Sequence, residues 1–141
     1  MNERPAVLYA REQDLALREF RQVLVESGLG ATRPVDDEAR LAAMLAGANF
    51  IMTARLDRPG RPLVGVARAI TAFCWCCYVA ELAVSSSAQG LGVGKALLDE
   101  ARRNLGPTVS LVLASVPEAV GFYERIGMPR LPDCFCFRRE G

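Results

Sequence analysis

Histidine is absent from the 141 residues. That absence excludes a Ser-His-Asp triad, a Cys-His pair and an H-E-x-x-H zinc site, so proton transfer falls to carboxylate, tyrosine, lysine, cysteine or water. A charge imbalance is missing too. Seventeen basic residues face sixteen acidic ones, and a formal charge of +1 gives no footprint for wrapping nucleic acid. No apolar run approaches the roughly 20 residues of a membrane span. The start, "MNERPAVLYA", is charged where a signal peptide needs an apolar stretch. The expectation is a cytoplasmic protein with neither membrane nor nucleic acid as partner, and 51% hydrophobic residues over this length suit one domain spanning residues 1–141.

Five cysteines form two tight groups, Cys74, Cys76 and Cys77 in "FCWCCYV" and Cys134 and Cys136 in "DCFCF". Their aromatic and β-branched neighbours read as strands, which makes them small buried side chains. The competing reading, a zinc site built from the two groups, lacks the C-x₂-C spacing, and no metal is expected.

The order of elements follows from hydrophobic period. A short strand over Ala6–Ala10 precedes a helix capped by Asp14, with Leu17, Phe20 and Leu24 on one face and a stop at Ser27-Gly28. Asp36 is placed to cap a second helix carrying Leu41, Met44, Leu45 and Ala48. Then the period changes to two: "NFIMTARL" and "PLVGVARAITAF" flank the hairpin signal "DRPGR", and "CWCCYVAELAVS" makes a third consecutive strand. A helix bearing Val93, Leu97, Ala101 and Leu105 leads to the apolar strand "TVSLVLASV", a crossover that makes two strands parallel. Ser115 with Glu118 fits a capping box before a helix with Ala119, Phe122, Tyr123 and Ile126 on its apolar side, and "CFCFRRE" is the last strand. The sum is an α/β domain with a mixed, mostly antiparallel sheet flanked by helices.

The junction "SSSAQGLGVGK" places three glycines between strand and helix. Glycine lets backbone approach a ligand closely, and the free N–H groups and positive dipole end of the helix attract phosphate oxygens. Tight strand–helix packing is the plainer alternative, although one glycine normally serves for that. A Walker A loop fails at Gln89 and Ala96, and a dinucleotide fingerprint fails at Lys95.

"QGLGVG" (Gln89–Gly94) resembles the Q/R-x-x-G-x-G/A signature of the GNAT superfamily of acetyl-CoA-dependent N-acetyltransferases. The resemblance spans nearly the whole chain, because "LVGVARA", "YVAELAV" and "AVGFYERIGM" look like that family's third strand, fourth strand and penultimate helix. It implies a GNAT-like fold with splayed parallel central strands. It further implies that the backbone of Gln89, Gly90, Leu91, Gly92, Val93, Gly94 and Lys95 cradles the pyrophosphate of acetyl-CoA, with Gly92 and Gly94 needed for clearance. The pantetheine arm would pair with Leu82, Ala83 and Val84 and run by Phe122, and the Ala83 N–H would face the oxyanion. Two departures stand out: "SSSA" (Ser85–Ala88) before the signature, and room for only one strand after the penultimate helix where many members have two.

Acetyl transfer to an amine needs a neutral nucleophile, oxyanion stabilisation and a proton for the thiolate. Tyr123, with a reference pKa near 10, matches the tyrosine that members often use as acid, or else it is a core aromatic. Glu81, a lone carboxylate within apolar "YVAELAV", matches the family's base position, or else it is an exposed strand residue. The function so implied is an N-acetyltransferase acting on a primary amine, small molecule or peptide, with a homodimer left open. A non-catalytic acyl-CoA-binding sensor or scaffold is the alternative, and acetylation of charged tRNA would want a basic face. The loop "GLGATRPVDDE" is expected to border the acceptor site, its charges reading equally as solvated surface, and Arg55, Arg58, Arg61 and Arg68 carry no assignment.

Overall fold

The computed structural model describes residues 6–141, so the charged start that argued against a leader lies largely outside the described residues. Five strands, β1 (Val7–Arg11), β2 (Phe50–Leu56), β3 (Leu63–Thr71), β4 (Cys76–Val84) and β5 (Ser110–Leu113), form one sheet in sequential order. The first three pairings are antiparallel and β4–β5 is parallel. The helix α3 (Val93–Leu105) makes that crossover, as a parallel connection requires. The chain is thus a single-domain α/β fold with the mixed sheet expected from its periodicity. Among the described residues no helix is long and apolar enough to cross a membrane.

Alternation along β2 divides the core. Phe50, Met52 and Ala54 join Val93, Leu97 and Ala101 of α3 on one sheet face, whereas Ile51 faces Phe20, Val23 and Leu24 of α1 (Leu17–Ser27) and Leu41 of α2 (Glu38–Gly47) on the other. Both layers are buried, and each fully buried aliphatic or aromatic side chain contributes about 1.5–3 kcal/mol. Thr53, also buried, keeps its hydroxyl satisfied by bonding to Ala10 O and Glu12.

Several local expectations are corrected. Asp14 does not cap α1: buried Leu15 anchors the approach, and the helix opens at Ala16, whose carbonyl accepts from Phe20 N at 3.1 Å. Asp37, not Asp36, caps α2 by accepting from Arg40 N at 3.0 Å, while Asp36 turns to Arg21. Ser115 and Glu118 form no capping box, since Ser115 Oγ donates to Val116 O and the chain enters α4 (Val120–Arg125) through a 3₁₀ turn at Pro117–Ala119.

The last strand is the larger correction. Residues 134–140 form no strand, and Phe135 and Phe137 are exposed. Pro129 and Pro132 break the approach, the turn at Pro132–Asp133 leads to no strand partner, and an extended segment without a paired edge gains too little to hold it. Cysteine burial is corrected with it. Only Cys77 is buried, where Thr71 is its cross-strand partner, and the other four are exposed.

Candidate active site

Strands β4 and β5 pair only over Cys76–Val79 and Ser110–Leu113. Beyond Val79 the β4 backbone continues to Val84 with no β5 neighbour. The register between β3 and β4 also slips there, leaving Ala80 as a bulge between Val79 and Glu81. The two strands therefore part at the bulge. A cavity of about 50 Å³ occupies the gap, bounded by Ala80 and Leu82 of β4, Leu113 of β5, Tyr123 of α4, and Leu29 and Arg33 of the loop between α1 and α2.

Leu82, Ala83 and Val84 stay paired with β3 but have no partner on the β5 side, with Ala83 buried and Leu82 and Val84 half-buried. The chain then turns at buried Ser85, whose Oγ donates to Glu26 Oε1 at 3.0 Å and so ties the end of β4 to the end of α1. "SSSA" is a hinge of this kind: Ser86–Ala88 make one 3₁₀ turn, and Gln89 Nε2 bonds back to Val84 O at 3.0 Å.

Gly90 and Gly92 follow, both with positive φ. Gly92 is the N-cap of α3 at φ +77° and offers no side chain to the helix start. Among the described residues, the backbone N–H groups of Gly90, Leu91, Gly92, Val93, Gly94 and Lys95 make no well-formed hydrogen bond, and the first α3 bond back to the junction is Ala96 N to Gly92 O at 3.0 Å. Amides left free at the positive end of a helix are the kind of donors a pyrophosphate needs. The junction fits the phosphates of coenzyme A on that ground.

The two glycines are constrained by different surroundings within the protein. At Gly92 a Cβ would meet nothing within 4 Å, and the positive φ is the constraint. At Gly94 a Cβ would lie 2.9 Å from Phe122 Cζ, so this buried glycine admits the α4 ring. Phe122 is thereby fixed against the first turn of α3, and it meets Tyr123 edge-on with ring centroids 5.0 Å apart.

Tyr123 lines the cavity with its ring half-buried, and burial pushes its phenol above the ordinary tyrosine range. It is protonated at neutral pH, and its hydroxyl has no hydrogen-bond partner among the described residues. A protonated donor facing the gap between parting strands can deliver a proton there.

Glu81 is placed differently from a free base. Its side chain is only 3% exposed, it does not line the cavity, and both carboxylate oxygens are engaged: Oε1 by Arg68 Nε, Oε2 by Arg33 Nε at 3.0 Å and Arg68 Nη2 at 3.2 Å. Arg68 is its cross-strand partner and reaches on to Met44 O of α2 at 2.8 Å. The two arginines went unassigned in the sequence. The signal was there, in that "GVARAI" and "VAELAV" each hold one charge of opposite sign within apolar strands, and buried charges need partners. Arg33 lies in the loop expected to border the acceptor site, although nothing singled it out from the other charges there.

The acetyltransferase (GNAT) domain profile matches residues 26–136. The chain belongs to the GNAT acetyltransferase family. Solved GNAT structures share the fold at low identity. A GNAT-family acetyltransferase from Streptococcus pneumoniae superposes with a TM-score of 0.68 at 23% identity, over 96% of this chain and 98% of that one. An aminoglycoside N-acetyltransferase in complex with CoA gives 0.69 at 17%, over 100% and 99%. An aminoglycoside acetyltransferase from an uncultured soil metagenomic sample gives 0.68 at 17%, over 95% of each. No curated protein matches this sequence. Acetyltransferase chemistry on acetyl-CoA is what this family does, and the parting of β4 from β5 beside a glycine junction is the corresponding architecture in this GNAT domain.

Proposed function

We propose that this GNAT protein transfers the acetyl group of acetyl-CoA to a primary amine by direct attack. The observation that carries the reading is the conjunction of three features: free amides at the start of α3, a β4 edge with no β5 partner over Leu82–Val84, and Tyr123 on the wall of the gap. Pyrophosphate on Gly90–Lys95 and pantetheine along β4 direct the thioester toward Tyr123. The neutral amine attacks the thioester carbon, the Leu82 N–H is assigned to the oxyanion in place of Ala83, whose N–H the antiparallel register turns toward Val66 of β3, the C–S bond breaks, and Tyr123 protonates the departing thiolate before recovering a proton from solvent. The proton lost by the amine goes to water. We read Glu81 as the carboxylate that holds Arg33 and Arg68 in place, because a group already accepting from two guanidiniums has little capacity left as a base.

The test is release of coenzyme A thiol together with a matching acetyl mass gain on the amine. Tyr123→Phe should lower kcat by about 10²–10⁴ while leaving acetyl-CoA affinity unchanged. Thiol release without an acetylated product, or full turnover in Tyr123→Phe when chemistry is rate-limiting, contradicts the reading.

A further inference from the structure

The charge around the gap limits what can enter it. Among the cavity-lining residues Arg33 is the sole charged side chain, and no carboxylate lines the wall. Behind it the buried triad of Arg33, Arg68 and Glu81 holds two positive groups and one negative. Glu26, the next carboxylate toward the glycine junction, is bonded to Ser85. On the cavity wall itself an incoming polycation meets a positive side chain and no carboxylate, while exposed Glu118 stands outside it in sequence between Val116 and Ala119.

The guanidinium of Arg33 is also held in one orientation with a donor to spare. Nε donates to Glu81 Oε2 at 3.0 Å, Nη1 to Thr32 O at 3.1 Å and Thr32 Oγ1 at 3.0 Å, and Nη2 to Ala80 O at 3.0 Å. Of five N–H groups, four are used, and one on Nη2 has no acceptor among the described residues. Its side chain is 20% exposed, on the cavity wall beside the bulge. A guanidinium held in one orientation with one donor left can make a single charge-assisted hydrogen bond to a carboxylate oxygen.

We propose that the acceptor is an amine carrying a carboxylate close to the reacting nitrogen, such as an amino acid or an acidic peptide terminus, and that Arg33 binds that carboxylate. This rests on the acetyltransferase reading above. A charge-assisted bond to Arg33 orients the acceptor and discriminates against its neutral isostere, because the amide presents a weaker acceptor to the same donor.

The experiment compares amino acids with their own α-amides, glycine with glycinamide and alanine with alaninamide, at equal concentrations of neutral amine, alongside spermidine, in the full chain. The expected result is kcat/KM higher for each acid than for its amide by about 10- to 100-fold, carried mainly by KM, with spermidine a poor acceptor. Arg33→Gln should bring the acid-to-amide ratio close to one with acetyl-CoA affinity retained, and Arg33→Lys, which keeps the charge and loses the planar fork, should fall between. A merely structural role would lower acids and amides alike and preserve the ratio, which overturns the proposal. Preference for spermidine overturns it as well, as does an Arg33-dependent preference for succinyl-CoA over acetyl-CoA, which would assign the carboxylate to the acyl donor. Acetyl-CoA binding with no acidic amine acetylated also counts against it, whereas failure to bind acetyl-CoA at all defeats the underlying reading.

Discussion

At the scale of single residues, the buried ion pair is where the account is easiest to break. Glu81→Gln leaves two guanidiniums facing a neutral amide in a buried position, and losing one partner of such a pair costs about 3–5 kcal/mol. The mutant should show a lowered unfolding midpoint, and any loss of activity should persist when the pH is raised; a stable protein whose activity recovers at alkaline pH would restore Glu81 as the base. Gly94→Val should fail for a packing reason, pushing Phe122 off α3, whereas Gly92→Val should fail through a strained left-handed backbone worth about 1–2 kcal/mol and an obstructed junction. Both residues were legible in the sequence as necessary. Why each is necessary was not, because Phe122 lies 28 positions from Gly94 and only the packed fold brings them together. Arg33 was illegible for a similar reason, since a loop arginine among solvated charges carries no period or spacing to mark it.

Elements were legible wherever period and turn chemistry agreed. β2 and β3 follow directly from alternating apolar residues around "DRPGR", and α3 from its apolar stripe beyond the glycines. "CFCFRRE" had the alternation without a strand partner, and it folded as no strand. The same lack of burial makes a prediction for the cysteines. In native protein Cys74, Cys76, Cys134 and Cys136 should alkylate readily, while Cys77, buried and with its thiol pushed upward by burial, should react only on unfolding. Mass spectrometry after a short iodoacetamide pulse reads this directly; early modification of Cys77, or protection of Cys134 and Cys136, would contradict the described packing.

Over the whole molecule, Arg55 ties the segment before α1, α1 itself and β2 together. Its guanidinium bonds both oxygens of Glu12 and of Glu19 and also the Arg61 carbonyl. Hydrogen bonds from Arg55 hold both carboxyls below the usual glutamate range. A lowered folded pKa stabilises the protein above the unfolded value near 4.3, and that contribution is lost as pH falls through the lower folded value. Arg55→Met should therefore destabilise by about 1–3 kcal/mol at neutral pH and flatten the fall in stability between about pH 5 and pH 2; an unchanged acid profile would show that these pairs do not carry it.

The claim on which the functional account turns is that the glycine junction and the gap beyond it bind acetyl-CoA. Calorimetric titration of acetyl-CoA into the full chain, and into folded Gly92→Val, tests it most directly. Saturable binding of one molecule per chain, abolished by the substitution, is the predicted result; no binding to the native protein, or equal affinity in the two proteins, would contradict it.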